Sequence, residues 1–128
     1  MKIRFKGNSI RIRIQQQELL ALSKEGQIEN RVTFGVTDSQ QLGFCLRSDD
    51  EGSSLSADFN GNEVLVRIPT DLVEEMVSTE KVGVEYEQEI EAGKPLHILV
   101  EKDFKCLTPR VEDADAFPHP EEAQGHSC

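Results

Sequence analysis

The chain has 128 residues, 37% of them apolar, and its 24 acidic and 14 basic side chains give a net charge of -10. That supports one modest core without disulfides or an obligatory metal, and the negative charge argues against non-specific binding to DNA or to an anionic membrane. No run reaches the ~18 apolar residues of a membrane span, and the first residues alternate charge with Ile instead of building the apolar core of a signal peptide. The expectation is a single cytoplasmic domain over residues 1–128. Cys45, Cys106 and Cys128 are odd in number and lack CxxC spacing, so they read as reduced thiols.

The first two strands alternate in FKGNSIRIRI, Phe5 to Ile14, and meet at Gly7-Asn8, where Gly at the first loop position suits a type II′ hairpin. In that register Phe5 faces Ile10 and Ile3 faces Ile12, while Arg4 falls opposite Arg11 and Lys2 opposite Arg13. One face is apolar and the other cationic. Gln16 to Glu25 follows as a helix with Leu19, Leu20 and Leu22 in a stripe. Strands are expected at Ile28 to Gly35 and Leu42 to Arg47, and the polar stretch 49–55 reads as a linker.

The same order then recurs. FNGNEVLVRI, Phe59 to Ile68, lies over FKGNSIRIRI at an offset of 54, and the ungapped alignment sets Leu19 on Val73, Leu22 on Met76, Ile28 on Val82 and Leu42 on Leu96. Repeat one spans 2–48 and repeat two 56–104. In the second copy Thr70 to Thr79 is the helix, with Thr70 or Asp71 as its cap, and Val82 to Ile90 and Leu96 to Phe104 are the strands. The fold expected is α+β, a duplicated hairpin-helix-hairpin unit whose eight antiparallel strands form a barrel or sandwich with two helices. Beyond the duplication, residues 107–128 form an acidic, Pro-containing tail, opposite in charge to residues 1–14, which carry five cations and no acid. The two ends are expected to attract. Val111 and Phe117 are spaced to dock this tail on the hairpin or on a partner.

The opening FKGNSIRIRI, the segment ILVEKDFKCL from Ile98 to Leu107 and the stretch RVEDADAFPHP from Arg110 together resemble a family of small uncharacterised bacterial proteins. The likeness covers nearly the whole chain and implies a bacterial cytoplasmic protein. A looser likeness, in strand and helix count, is to the tunnel-shaped triphosphate hydrolases, which carry an ExExK metal-binding motif near the N-terminus where this chain reads KIRFK.

Three constellations are candidates for chemistry. Arg4, Arg11 and Arg13, joined by Arg67 if a barrel brings the repeats together, form an anion site, because opposed guanidinium groups are destabilising until an anion or the protein's own acids offset them. Glu85 and Glu87, with Glu89 and Glu101, offer oxygen ligands to a divalent cation such as magnesium. Cys106, His119, His126 and Cys128 are zinc-type ligands at separations that match no known spacing. Aromatic content of 5% without Trp disfavours a stacking nucleic-acid surface.

The function expected is a non-enzymatic cytoplasmic binding or interaction module without a cofactor, its partner a protein or a small anion, with no DNA and no membrane. Its oligomeric state is left open. The alternative is an anion-binding barrel acting as a magnesium-dependent phosphate-ester, or triphosphate, hydrolase.

Overall fold

The computed structural model describes residues 1–105, 115–118 and 120. Its elements run β1 (Lys2–Phe5), β2 (Ser9–Ile14), α1 (Gln16–Glu25), β3 (Gln27–Thr33), β4 (Gln41–Asp49), β5 (Ser56–Asn60), β6 (Glu63–Pro69), α2 (Thr70–Ser78), β7 (Gly83–Gln88) and β8 (Leu96–Lys102). Single 3-10 turns at Asp38–Gln40 and Glu91–Gly93 lie in the β3–β4 and β7–β8 loops.

The strands make two four-stranded sheets, ordered β1-β2-β8-β7 and β3-β4-β6-β5. Each sheet therefore joins a hairpin from the first half of the chain to one from the second. The four hairpin pairs are antiparallel, as alternation and turn chemistry predict, and Arg4 lies opposite Arg11 and Phe5 opposite Ile10. The central pairs, β2 with β8 and β4 with β6, are parallel, so the sheets are mixed and not wholly antiparallel. Connectivity is the reason. Both helices join strands at one end of the molecule, so every even-numbered strand leaves a hairpin turn at the other end and runs in the same direction.

The sheets do not close into a barrel; the fold is α+β and sandwich-like. Their edges approach along two seams spanned by side-chain amides. Gln88 accepts from the backbone N–H of Ala57 at 2.7 Å and donates to its carbonyl at 3.0 Å, and Asn30 donates to the Met1 carbonyl at 3.3 Å. Such amides satisfy an edge without extending the ladder.

The core lies between the sheets and under the helices. Ile10, Ile12 and Ile14 of β2, Leu46 of β4, Val66 and Ile68 of β6, and Ile98 and Val100 of β8 meet Leu19 and Leu22 of α1 and Val73 and Met76 of α2. Each large aliphatic side chain buried this way contributes about 1.5–3 kcal/mol. The helices present these residues at i, i+3 spacing, and Ser23 donates to Glu74 across their contact at 2.8 Å.

Local signals explain the helix ends in part. Glu18 accepts from the Gln15 backbone N–H at 2.9 Å, a capping-box contact that starts α1. In α2 the cap position belongs to Pro69 and not to Thr70 or Asp71. Thr70 is already helical, and its hydroxyl is drawn toward the preceding connection, donating to Asp50 at 2.6 Å and lying 2.7 Å from the Ser48 hydroxyl.

The two halves match in element order, with one shift. Leu46 and Val100 are 54 residues apart, but their ladder partners Ile28 and Val84 are 56 apart. Val84 and not Val82 therefore stands where Ile28 does. The longer α2–β7 connection, residues 79–82 against Gly26 alone, takes up the difference.

Candidate functional site

All four hairpin loops gather at the end away from the helices, and two asparagines hold them there. The Asn8 side chain donates to the Pro95 carbonyl at 2.9 Å while the Asn8 backbone carbonyl accepts from the His97 N–H at 3.1 Å. Asn62 does the same in the other sheet, its side chain donating to the carbonyls of Asp38, at 2.9 Å, and Gln41, while its backbone carbonyl accepts from the Gly43 N–H at 2.9 Å. Each asparagine thus latches the tip of one hairpin to the start of the parallel strand beside it and fixes the register there. The preceding glycines, Gly7 and Gly61, have φ of 57° and 63°, a left-handed conformation that explains the repeated Gly-Asn pair.

Between the latched tips the sheets diverge around a cleft of about 390 Å³, lined by Phe5, Ile10, Leu42, Phe44, Ala57, Phe59, Val64 and Leu96, with Gly7, Asn8, Ser9 and Asp58 at its margin. Phe5 packs on Phe44 with ring centroids 5.9 Å apart. Even so, Phe5 is 57% exposed and Phe59 70%. Phe34 and Val36, in the neighbouring β3–β4 loop, are also exposed. Phe5 lies opposite Ile10 on the apolar face, in the register that the sequence implies, but at this end that face is not covered. No helix covers this end: the β1–β2 and β5–β6 turns are too short to reach over the inner face, and the longer β3–β4 loop leaves Phe34 and Val36 exposed.

The charged candidates lie elsewhere, on the outer face of the first sheet. Rows across the sheet run Lys2, Arg13, Glu101, Gly83; then Arg4, Arg11, Leu99, Glu85; then Ser9, His97, Glu87. Cations occupy β1 and β2 and acids occupy β7. Glu101 lies between the two sets, 2.9 Å from Arg11 and 2.8 Å from Arg13, all three side chains being mostly buried. Lys2 pairs with Asp103 at 3.0 Å. Glu85 and Glu87 are 66% and 68% exposed and flank His97 at 3.3 and 3.9 Å. Near the hairpin end this face dips into a second recess of about 230 Å³ lined by Arg4, Lys6, Ser9, Ile10, Arg11, His97 and Leu99.

The anion set is therefore only partly assembled. Arg4, Arg11 and Arg13 share one face, but Arg67 is in the other sheet, beside Arg47 and paired with Asp58. Of the carboxylates, Glu101 is engaged by arginines and Glu85 and Glu87 project outward along the strand. Among the described residues no group of three or more His, Cys, Asp or Glu side chains is disposed to hold a metal. Cys106, His119, His126 and Cys128 lie outside the described residues, as does most of the acidic tail; Phe117 is described and exposed.

Among the described residues, Cys45 and Arg31, both outside the cleft, have shifted proton affinity. Burial pushes the Cys45 thiol up from its ordinary value, with Arg47 opposing, which disfavours the thiolate. A hydrogen bond and the charge of Glu63 raise Arg31, whose guanidinium lies 2.8 Å from that carboxylate. No helix among the described residues is long and apolar enough to cross a membrane.

Comparison with other proteins gives no match among functionally described proteins and none among solved structures. One family model does match, over residues 1–121, and the chain belongs to that family of unknown function, DUF7009.

Proposed function

We propose that the protein is a non-enzymatic binding module whose ligand enters the apolar cleft at the hairpin end. The cleft itself carries this reading. Small-molecule sites are concave, mostly apolar and about 300–1,000 Å³, with a few polar groups to orient the ligand, and the space between Phe5, Phe44 and Phe59 has that character. Large aromatic rings left exposed around a concavity are a recurrent mark of a recognition surface. The charged face gives less support to metal-dependent phosphate-ester hydrolysis, because its carboxylates are strung along an exposed strand or held by arginines instead of converging on an enclosed space.

The same reading treats the two halves as copies of one unit. Matching element order, the shared Gly-Asn latches and the paired cleft residues Phe5 and Phe59, Ile10 and Val64, and Leu42 and Leu96 support it. On this view duplication completed the cleft, since each copy supplies only one hairpin to each wall.

Titration with decanol, followed by thermal unfolding, tests the proposal, because a ligand that binds only the folded state raises the unfolding temperature. The expected result is a concentration-dependent rise that Leu42→Trp, which fills the cleft, abolishes while circular dichroism stays unchanged. No rise with the native protein, or an equal rise with Leu42→Trp, would overturn it.

A further inference from the structure

Of the four edge strands β3 is the longest, at seven residues, and six of the seven are exposed. Its hydrogen bonding has a fixed phase. The Gly26 carbonyl accepts from the Ser48 N–H at 2.8 Å and the Phe34 N–H donates to the Gln40 carbonyl at 2.7 Å, so the even-numbered residues between them turn their backbone groups to β4. Gln27, Glu29, Arg31 and Thr33 turn theirs to the open edge, and among the described residues no hydrogen-bond partner meets them there. At the seams between the sheets, amides take up the Met1 carbonyl before β1 and both backbone groups of Ala57 in β5. β3 supplies one of those amides, Asn30, and among the described residues receives none.

An unpaired edge is a template for another strand, and charged side chains are the usual guard against it. On β3 the guard fails against one partner, a second β3. Two antiparallel copies must set odd residues against odd ones, because those carry the free backbone groups. Centring the pair on Glu29 or on Arg31 opposes like charges; centring it on Asn30 sets Glu29 of each copy against Arg31 of the other. That register also pairs all seven residues of the strand. On the inner face it sets Ile28 against Val32 of the second copy, which is 47% exposed in the single chain, and carries the exposed Phe34 toward the open space at Gly26. Arg31 need not leave Glu63, at 2.8 Å, since a guanidinium has several N–H donors, and Glu29 stands only 3.9 Å from the Arg31 of its own chain.

We infer that the protein forms a twofold-symmetric dimer through β3, antiparallel about Asn30, which joins the two β3-β4-β6-β5 sheets into one of eight strands. Main-chain bonds along the edge supply the attraction, and the Glu29–Arg31 pairs fix the register and the partner. No residue of β3 is among those lining the cleft, so the dimer does not depend on what enters it.

Sedimentation equilibrium of the full chain should show a mass that rises with concentration from one chain toward two. Glu29→Arg and Arg31→Glu, with circular dichroism unchanged, should each weaken association about tenfold, because each turns two attractive cross-strand pairs into repulsive ones. Mixed in equal amounts, the two variants should regain the native affinity, since residue 29 of each then faces the opposite charge at residue 31 of the other. A native protein that stays a single chain at about 1 mM overturns the proposal. A dimer that both variants leave unchanged overturns it too, and so does a mixture that associates no better than either variant alone. The native protein offers a measurement in which no variant has to fold: amide exchange at Glu29 and Arg31 should slow as concentration rises while that of β7 does not. Exchange at Glu29 and Arg31 that is independent of concentration would likewise exclude β3 as the interface.

Discussion

The helix end and the hairpin end of the sandwich are built from the same alternating strands and differ in what fills the space between the sheets. At the helix end Leu19, Leu22, Val73 and Met76 descend onto Ile14, Leu46, Ile68 and Val100, all of them buried, and the recess of about 370 Å³ that remains there lies to one side, beside Leu20, Val77, Lys102 and Phe104. At the hairpin end the corresponding inner positions, Phe5, Leu42, Phe59 and Leu96, line an open cleft. The outer face of the first sheet follows the same division, with Lys2–Asp103 and the Arg11, Arg13, Glu101 cluster toward the helices and the recess around Lys6 toward the turns. Stability should therefore be concentrated at one pole and recognition at the other, as in other scaffolds that carry their binding surface on loops.

Truncating the helix end tests this most severely. Leu22 is fully buried, and Leu22→Ala should lower stability by about 2–5 kcal/mol through lost transfer energy and the cavity left behind. Urea unfolding with an unchanged slope would measure it. A loss below about 1 kcal/mol would mean that the helices contribute little and that the comparison of poles is wrong.

The charge cluster should come next. Glu101→Gln removes the carboxylate shared by Arg11 and Arg13 at a mostly buried site, and a cost of about 2 kcal/mol is expected, between that of exposed and fully buried pairs. High salt should narrow the difference between variant and native protein only partly, since a buried pair is poorly screened. Complete loss of the difference in salt would place the cluster in solvent.

Asn62→Ala probes the other pole without touching the cleft walls. Losing the bonds to the Asp38 and Gln41 carbonyls should cost about 1 kcal/mol and, by loosening the turn, speed amide hydrogen exchange at Gly43, whose N–H is held by the Asn62 backbone carbonyl, while exchange under the helices stays unchanged. Faster exchange throughout would make the latch a global element and not a local one.

Much of this division was legible in the sequence, and the part that was not has a physical cause. Turn chemistry at Gly7-Asn8 and Gly61-Asn62 fixes the hairpins, and apolar spacing at Leu19, Leu22, Val73 and Met76 fixes the helices, because both signals are local. The parallel pairing of β2 with β8 and β4 with β6 depends on which end each helix connects, which no single strand encodes. The two-residue shift that brings Val84 level with Ile28 is likewise a matter of loop length and invisible to an ungapped alignment. The charged residues were identifiable by type, but Arg67 and Arg13 hold matching positions in sequence and lie in different sheets. Phe5 and Phe59 were legible as apolar face residues; that their end lacks a lid follows only from the assembled topology.

Phe59→Ala is the smallest expected perturbation of stability and the one that separates the poles most directly. A ring 70% exposed has little transfer energy to lose, so the change should stay within about 0.5 kcal/mol, an order of magnitude below the larger estimates for Leu22→Ala. Its effect on the cleft should run the other way, because the same ring supplies part of one wall, and decanol should bind more weakly to Phe59→Ala than to the native protein. If instead Phe59→Ala destabilised the fold as strongly as Leu22→Ala, the hairpin end would be core in solution, the cleft would be closed, and the contrast between the two ends would disappear.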